Sequence, residues 1–312
     1  MEQIQQILQE LEALKARLDA AEARAEKAEA EAQAADDYRQ IVNAMMGHVY
    51  SYYNHSERKD LEDYWVRSRD DIVYAHNNLG YVGRQGVWEY YIDGTDRNKA
   101  RYAAIDRKIY NLDPPEGAAA GYRVIHVLGS PYVEIAKDRK TAQGIWMSFS
   151  FMSNMDQNGE GNPSYVLQRF AGDFLREDDK WRLWHIRDYT DVSMEIETNL
   201  LGPDDVERDA EGRPVEHDGP PMGNKKGGPG GPGGPGGPGG PGGDQGGMPE
   251  PPKRDGVKNR TLTLESSNMY NPWTWTVNEP KIPQAYDKWD PAQSYITVAP
   301  EHQDEGSAWI VE

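Results

Sequence analysis

The sequence predicts an α+β fold in which a curved antiparallel sheet packs on helices, with an N-terminal coiled-coil helix and a C-terminal extended tail. The first observation is a spacing of three or four between apolar residues over most of residues 37–110, which is typical of helices. The second is a change to a spacing of two over residues 122–193, in five runs separated by turn residues. Helices followed by an antiparallel meander indicate an α+β plan.

Residues 1–36 follow an unbroken heptad pattern in which every a and d position from Ile4 to Ala35 is apolar. In a parallel pair of helices, a residue at position g of one copy faces a residue at position e of the other. Three successive pairs of this kind carry opposite charges: Glu10 with Lys15, Arg17 with Glu22, and Arg24 with Glu29. We therefore predict a homodimer or homotrimer that forms through residues 4–35 and the sheet. A single solvated helix is the alternative, because alanine core positions bury little area.

Residues 37–198 carry the balance of patterns of a globular domain. Helices are predicted over residues 37–53, 61–67 and 87–110, with Gly94 as an expected break in the third. Strands are predicted over residues 71–77, 122–128, 132–135, 141–154, 164–176 and 181–193.

Two segments follow this domain. Residues 199–259 contain repeated Gly-Gly-Pro triplets and are predicted to be a disordered linker. Residues 260–312 are rich in tryptophan, tyrosine and proline, with too few aliphatic residues for a core of their own. We expect this tail to dock in extended form on the globular domain of its own chain or a neighbour, with residues 274–277 as an edge strand. A disordered tail that binds another protein is the alternative.

Composition excludes several functions. The net charge of −18 and the pI near 4.8 disfavour nucleic acid and anionic membranes as partners. The absence of cysteine excludes thiolate chemistry, and no signal peptide or long apolar run is present, so the cytoplasm is the expected location. No cofactor fingerprint occurs, which implies a cofactor-free reaction. His48 and His55 lack a third ligand at helical spacing, so no metal site is predicted.

The candidate acid/base residues are histidines on predicted strands. An imidazole with an ordinary pKa of ~6.5 can take and return a proton near neutral pH. His76 and His126 lie on two of these strands, and His185 lies on the last one. A spacing of two places His185 on the face of Trp181 and Leu183, which we expect to point inward.

Tyrosine and tryptophan together outnumber phenylalanine 27 to four. Such side chains join an apolar body to a hydrogen-bonding tip, which suits pockets for aromatic or hydroxylated ligands. The predicted substrate-binding residues are Tyr50, Tyr53, Tyr74 and Trp146. For any single one of them, a place in the core, at the rim or in a subunit contact is the alternative.

Several short motifs of residues 37–198 resemble the SnoaL-like branch of the NTF2-like superfamily, whose fold is a cone. They are Gly83-Arg84 before the third helix, His126 opening a strand, and Lys180-Trp181-Arg182-Leu183. The resemblance covers about half of the chain and implies a fold rather than one chemistry, because the superfamily includes dehydratases, isomerases, cyclases and binding modules.

Within that superfamily, two stretches resemble the scytalone dehydratase type: Lys59-Asp60 with His76 sixteen positions after Asp60, and the run that starts at His126. The resemblance places that enzyme's catalytic strand histidine at His126 and its first-strand tyrosine at His76. The chain departs from that type at Ser56-Glu57, where the family has Tyr-Asp, and near Met152, where the family has a second histidine.

These observations predict a cofactor-independent lyase (a dehydratase) or isomerase that acts on a small aromatic or polycyclic hydroxy or carbonyl compound. His126 would be general base and acid, His76 or a tyrosine would polarise the substrate oxygen, and Asp188 or His185 would orient these groups. The alternative is a non-catalytic oligomeric module that binds a small molecule or a protein. A deep pocket with His126 bonded to an acid or a tyrosine would favour the enzyme, and a pocket filled by its own side chains would favour the module.

Overall fold

A computed structural model describes residues 1–53, 56–115, 119, 121–129, 131–155, 161–196, 261–264 and 280–298. The helices are α1 (Glu2–Tyr53), α2 (Glu57–Asp63), α3 (Gly83–Val87) and α4 (Gly94–Ile105), with π-helical turns at Trp88–Asp93 and Asp106–Tyr110. The strands are β1 (Val73–His76), β2 (Leu79–Val82), β3 (Arg123–Leu128), β4 (Tyr132–Ile135), β5 (Thr141–Met155), β6 (Gly161–Glu177), β7 (Lys180–Glu195) and β8 (Thr261–Thr263).

The strands form one sheet in the order β3-β5-β6-β7-β1-β2-β8, and β3 and β4 pair end to end with the long β5. The pairs are antiparallel except for β1 beside β7. The predicted α+β fold, a curved sheet packed on helices, is confirmed. Strand β2 was not predicted; it follows a turn in which Asn77 has a φ of 51°, a conformation that asparagine tolerates.

Helix α1 divides into two parts of different burial. Residues 1–36 are all exposed, whereas residues 37–53 pack on the sheet through Ile41 and Met45, which are fully buried. These two side chains belong to a core that also contains Trp65, Phe174 and Leu183. The α1 segment that packs on the sheet carries the first functional side chains.

A β-bulge in β7 changes which residues face the helices. Phe174 pairs with Leu183 and Asp173 pairs with His185, so Trp184 is an extra residue on β7. One extra residue reverses the alternation of faces along a strand. The prediction that His185 shares the inward face of Leu183 is therefore wrong.

Residues 280–298 lie against the outer side of the sheet. Tyr286 donates a hydrogen bond to Thr141 at 3.2 Å, and Ser294 donates one to Asp173 at 2.7 Å. The ring of Trp289 lies 4.9 Å from that of Trp184. The predicted linker at residues 199–259 and the predicted edge strand at residues 274–277 lie outside the described residues, and β8 occupies the edge beside β2.

Gly94 does not end a helix, contrary to the prediction. Its φ of −61° is helical, and the chain is helical from Gly83 to Tyr110. The irregularity comes earlier, in the π-helical turn Trp88–Asp93. This turn brings two consecutive side chains, Tyr90 and Tyr91, to the same cavity, which fits the frequent use of π-helical turns at functional sites.

Candidate functional site

A cavity of about 200 Å³ lies between the helices and the inner face of the sheet. The described residues that line it include three histidines, six tyrosines, one aspartate and one arginine. They come from α1, β1, the first π-helical turn, α4, the start of β3, and the long strands β5 to β7. The volume is below the ~300–1,000 Å³ of pockets for drug-sized ligands, so it suits a single-ring compound better than a polycyclic one.

The first histidine of the cavity is His48, on α1. Its Nδ1 lies 2.7 Å from Oδ2 of Asp60, a fully buried residue of α2. The same oxygen also accepts a hydrogen bond from the indole of Trp65 at 3.2 Å. No described residue bonds to Nε2 of His48. A carboxylate at Nδ1 fixes the tautomer and leaves the lone pair on Nε2, as in the histidine of a Ser-His-Asp triad.

The second histidine is His76, at the end of β1 opposite Asp188 on β7. Its Nδ1 forms a short hydrogen bond to Asp188, which also accepts from the hydroxyl of Tyr74 at 3.2 Å. Burial alone would lower the pKa of His76, but the charge and the hydrogen bond of Asp188 together raise that pKa above its usual range. The amide of Asn77, whose Oδ1 accepts from the Thr190 backbone, lies 3.1 Å from Nε2 of His76 and donates to it when the ring is neutral. Both ring nitrogens of His76 are therefore engaged.

The third histidine is His126, on β3. Its Nδ1 lies 2.8 Å from Oγ of Ser150, and that hydroxyl donates to Gln168 at 3.0 Å. Since the serine proton goes to Gln168, His126 must donate from Nδ1, and its Nε2 carries a lone pair with no partner among the described side chains. Burial lowers the pKa of His126 to about 4, against a smaller opposing effect of Asp188. His126 is therefore neutral at physiological pH.

Tyr91 supplies a donor that no described residue uses. Its side chain is 3% exposed, lines the cavity, and has a buried hydroxyl with no hydrogen-bond partner in the described part of the chain. The ring centroid lies 5.2 Å from that of His48 and 5.4 Å from that of Tyr52. Burial raises the pKa of Tyr91 well above its usual range, so the hydroxyl keeps its proton. A buried donor without an acceptor is uncommon and fits a ligand oxygen.

The structure brings four of the predicted site residues together and separates the other four. His126, His76, Asp188 and Tyr74 line the cavity. His185, Tyr50, Tyr53 and Trp146 are not among the described residues that line it.

Each of the four outside the cavity has a physical reason for its place. His185 is on the outer side of the sheet, bonded to Asp173 at 2.8 Å, because of the bulge at Trp184. Tyr50 is 59% exposed, and Tyr53 stacks with Arg123 at 4.8 Å. Trp146 is 1% exposed and packs in the core against Phe174.

Sequence reasoning missed His48 and Asp60 as a pair, as well as Tyr91 and Arg101. For His48 there was a signal, since it falls in the apolar stripe of α1 with Ile41 and Met45 at helical spacing. A histidine in such a stripe needs a buried partner, and Asp60 is the nearby acid that the second helix supplies. No periodicity marks Tyr91, because a π-helical turn places it.

No three side chains of histidine, aspartate or glutamate in the described ranges are grouped closely enough to hold a metal ion. No helix in the part of the chain that the structure describes is both long and apolar enough for a bilayer crossing.

No family model and no curated protein matches the chain. Solved structures do match. A hexachlorocyclohexane dehydrochlorinase (LinA) Type2 is 13% identical, with 53% of this chain and 93% of that chain covered and a TM-score of 0.37. A putative scytalone dehydratase from Novosphingobium aromaticivorans is 11% identical, with 51% and 87% covered and a TM-score of 0.37.

An NTF2-like protein with a cystatin-like fold, also from Novosphingobium aromaticivorans, is 18% identical, with 51% and 84% covered and a TM-score of 0.36. The likeness is one of fold. It agrees with the superfamily that the sequence resembles.

Proposed function

We propose that this protein is a cofactor-independent lyase or isomerase that transfers a proton on a small, single-ring hydroxy or carbonyl compound. The observation that carries the proposal is the presence, in one cavity, of two imidazoles whose Nε2 and one tyrosine whose hydroxyl have no hydrogen-bond partner among the described residues. The two imidazoles can accept protons or hydrogen bonds, and the tyrosine hydroxyl has a proton to donate. Such a set suits proton removal next to a carbonyl group.

His48 is the better base of the two free imidazoles. The buried Asp60 orients its ring and stabilises the imidazolium that forms when Nε2 takes a proton. No described carboxylate is hydrogen-bonded to His126, and its pKa of about 4 makes it a weak base that stays neutral. The base is therefore His48 rather than His126, the residue that the sequence favoured, and His126 accepts a hydrogen bond from a substrate hydroxyl.

The proposed step conserves atoms and charge. His48 Nε2 takes a proton from the carbon next to the carbonyl, and the electron pair moves to the carbonyl oxygen, to which Tyr91 donates. In an isomerase the imidazolium returns the proton at another carbon. In a lyase it gives the proton to a β-hydroxyl, which leaves as water while the double bond forms. The wall of the cavity formed by β1 and β7 is supported by the hydrogen bonds that Asp188 forms with His76 and Tyr74.

The experiment is proton exchange in D₂O. The protein is incubated with a panel of single-ring hydroxyketones, and NMR follows the loss of carbon-bound protons and the appearance of alkene products. We expect His48→Gln to slow exchange at least ~100-fold. The matched control is His185→Gln, which removes another buried histidine-carboxylate pair outside the cavity and leaves exchange in the folded fraction unchanged. Ligand binding without any exchange in the wild type would instead indicate a binding module.

A further inference from the structure

Arg101 is a cation of the cavity that has no anionic partner among the described residues. It lies on α4 and lines the cavity, and its Nε is buried without a hydrogen-bond acceptor among the described residues. Its guanidinium forms no ion pair there, and the ring of the neighbouring Tyr102 is 5.9 Å away. The contrast is Arg182, whose buried Nε also lacks a well-aligned acceptor but lies 3.0 Å from the carboxylate of Glu177.

Arg101 as a whole is half-buried, but its Nε is buried, and proteins rarely bury an arginine nitrogen without an acceptor because that nitrogen loses its water and gains nothing in return. The unpaired Nε therefore indicates a site whose acceptor comes with the ligand. The guanidinium is a planar fork of donors that fits a carboxylate with two parallel hydrogen bonds. We infer that Arg101 binds the carboxylate of a small aromatic or other planar acid, which defines the substrate class of the proposed function.

Neighbouring side chains fit the same ligand. Asn98 is one turn before Arg101 on α4, so both lie on one helix face, and both line the cavity. Asn154 accepts from the hydroxyl of Tyr102 at 3.2 Å through its Oδ1, which leaves its amide nitrogen to donate. The ring of Tyr102 stacks with that of Tyr122 at 5.2 Å. Amide donors beside a guanidinium and aromatic walls suit an acid group on a flat ring.

The charges of the cavity limit and orient this ligand. Arg101 and Asp188 are the charged acid or base side chains among its described lining residues, apart from the histidines. One cation balances one negative charge, so a monoanion fits better than a phosphate dianion. Asp188 is held by His76 and Tyr74, on the wall formed by β1 and β7, and would repel a carboxylate there. The acid group therefore binds at Arg101, and the rest of the ring extends toward His48 and Tyr91.

The test is binding of benzoate and of its neutral analogue benzamide to the full-length protein, by calorimetry and by ligand-observed NMR. We expect the wild type to prefer benzoate, and Arg101→Gln to weaken benzoate about tenfold or more while benzamide is unchanged. Arg101→Lys keeps the charge but loses the fork, so its effect is intermediate. The matched control is Arg97→Gln, an exposed arginine of the same helix, which leaves both affinities unchanged.

Three results would overturn the inference: equal affinity of the wild type for benzoate and benzamide, unchanged benzoate binding in Arg101→Gln with its melting temperature preserved, or no binding of either compound. The inference rests on the proposed function only in treating the bound acid as the substrate of proton transfer; the binding of the carboxylate to Arg101 does not depend on that function. If benzoate binding depends on Arg101 but His48→Gln leaves proton exchange unchanged, the carboxylate site stands and the proposed chemistry falls. If His48→Gln slows proton exchange but benzoate binding does not depend on Arg101, the proposed chemistry stands and the carboxylate site falls.

Discussion

His48 and Asp60 form a buried hydrogen bond of 2.7 Å between α1 and α2, and the glycine next to His48 allows the two helices to approach this closely. A Cβ on Gly47 would lie 2.2 Å from Cζ of Tyr64, the residue that ends α2 one turn after Asp60. The tyrosine ring occupies the space that any other side chain at position 47 would need. Gly47 is therefore part of the geometry of the candidate site.

Gly47→Ala is expected to destabilise the protein although it removes a glycine from a helix. Alanine normally stabilises a helix interior by about 1 kcal/mol relative to glycine, but overpacking against a ring costs about 1–3 kcal/mol. Urea unfolding should show a net loss in the free energy of unfolding. When Tyr64→Ala is present in the same chain, Gly47→Ala should cost less, with a coupling energy of more than about 0.5 kcal/mol in the double-mutant cycle. Gly94→Ala is the matched control, since its Cβ meets only ordinary contacts at 3.6 Å and beyond. A stabilising Gly47→Ala would contradict the close packing.

Asp60→Asn tests the role of the carboxylate without changing the shape of the side chain. The amide oxygen can still accept from His48 and from the indole of Trp65, but the amide has no charge with which to stabilise the imidazolium that forms when Nε2 takes a proton. We expect proton exchange of any accepted substrate to fall by about 10²–10⁴-fold, with a stability loss of about 1–3 kcal/mol because a buried donor is left unpaired. Unchanged exchange in a folded Asp60→Asn protein would remove His48 from the proposed mechanism.

Periodicity predicted the order of the helices and strands of residues 37–198 apart from β2, but not the faces of the last strand. The alternation of Trp181 and Leu183 gives the correct inward face up to the bulge at Trp184, after which it fails. A bulge arises from the pairing of two strands, and neither strand alone encodes it. The same reason separates the candidate residues: Tyr74 and His76 lie on one strand and were found, whereas His48 and Asp60 become partners only when two helices pack.

The stability of the protein should depend on pH through His126. The unfolded imidazole takes a proton near pH 6.5, and the folded one only near pH 4. Between these values the unfolded state binds more protons, so the free energy of unfolding rises with pH and falls as the solution is acidified from 6.5 to 4. Because the half-buried ring faces the cavity, we expect the free energy of unfolding to change by about 1–3 kcal/mol over this pH range.

Urea unfolding of the wild type and of His126→Gln across this pH range measures the effect. The variant should lack this part of the pH dependence, and NMR titration of the His126 imidazole should show the low pKa directly. His76 acts in the opposite sense, since its raised pKa contributes stability that is lost as pH rises, but it is present in both proteins and cancels. Identical pH profiles of the two proteins would show that His126 titrates normally.

The outer segment, residues 280–298, should contribute measurably to stability. Tyr286 is 7% exposed and bonded to Thr141, whereas Ile282 in the same segment is 58% exposed. We expect Tyr286→Ala to cost about 2–4 kcal/mol and to lower the melting temperature, while Ile282→Ala stays within about 0.5 kcal/mol. Equal melting temperatures of the two variants would mean that the segment does not dock on the sheet in solution.

The exposed part of α1, residues 1–36, should set the oligomeric state. In the monomer the a and d side chains Leu11, Leu14 and Leu18 are 63%, 66% and 57% exposed, a continuous apolar stripe that a second copy would cover. Leu11→Asp with Leu18→Asp places charges in that seam and should shift the protein to monomers in analytical ultracentrifugation. Ala16→Asp with Ala23→Asp adds the same charge at f positions on the opposite face and should leave the oligomer intact. A wild type that sediments as a monomer, or the same loss of mass in both double variants, would contradict the parallel coiled coil.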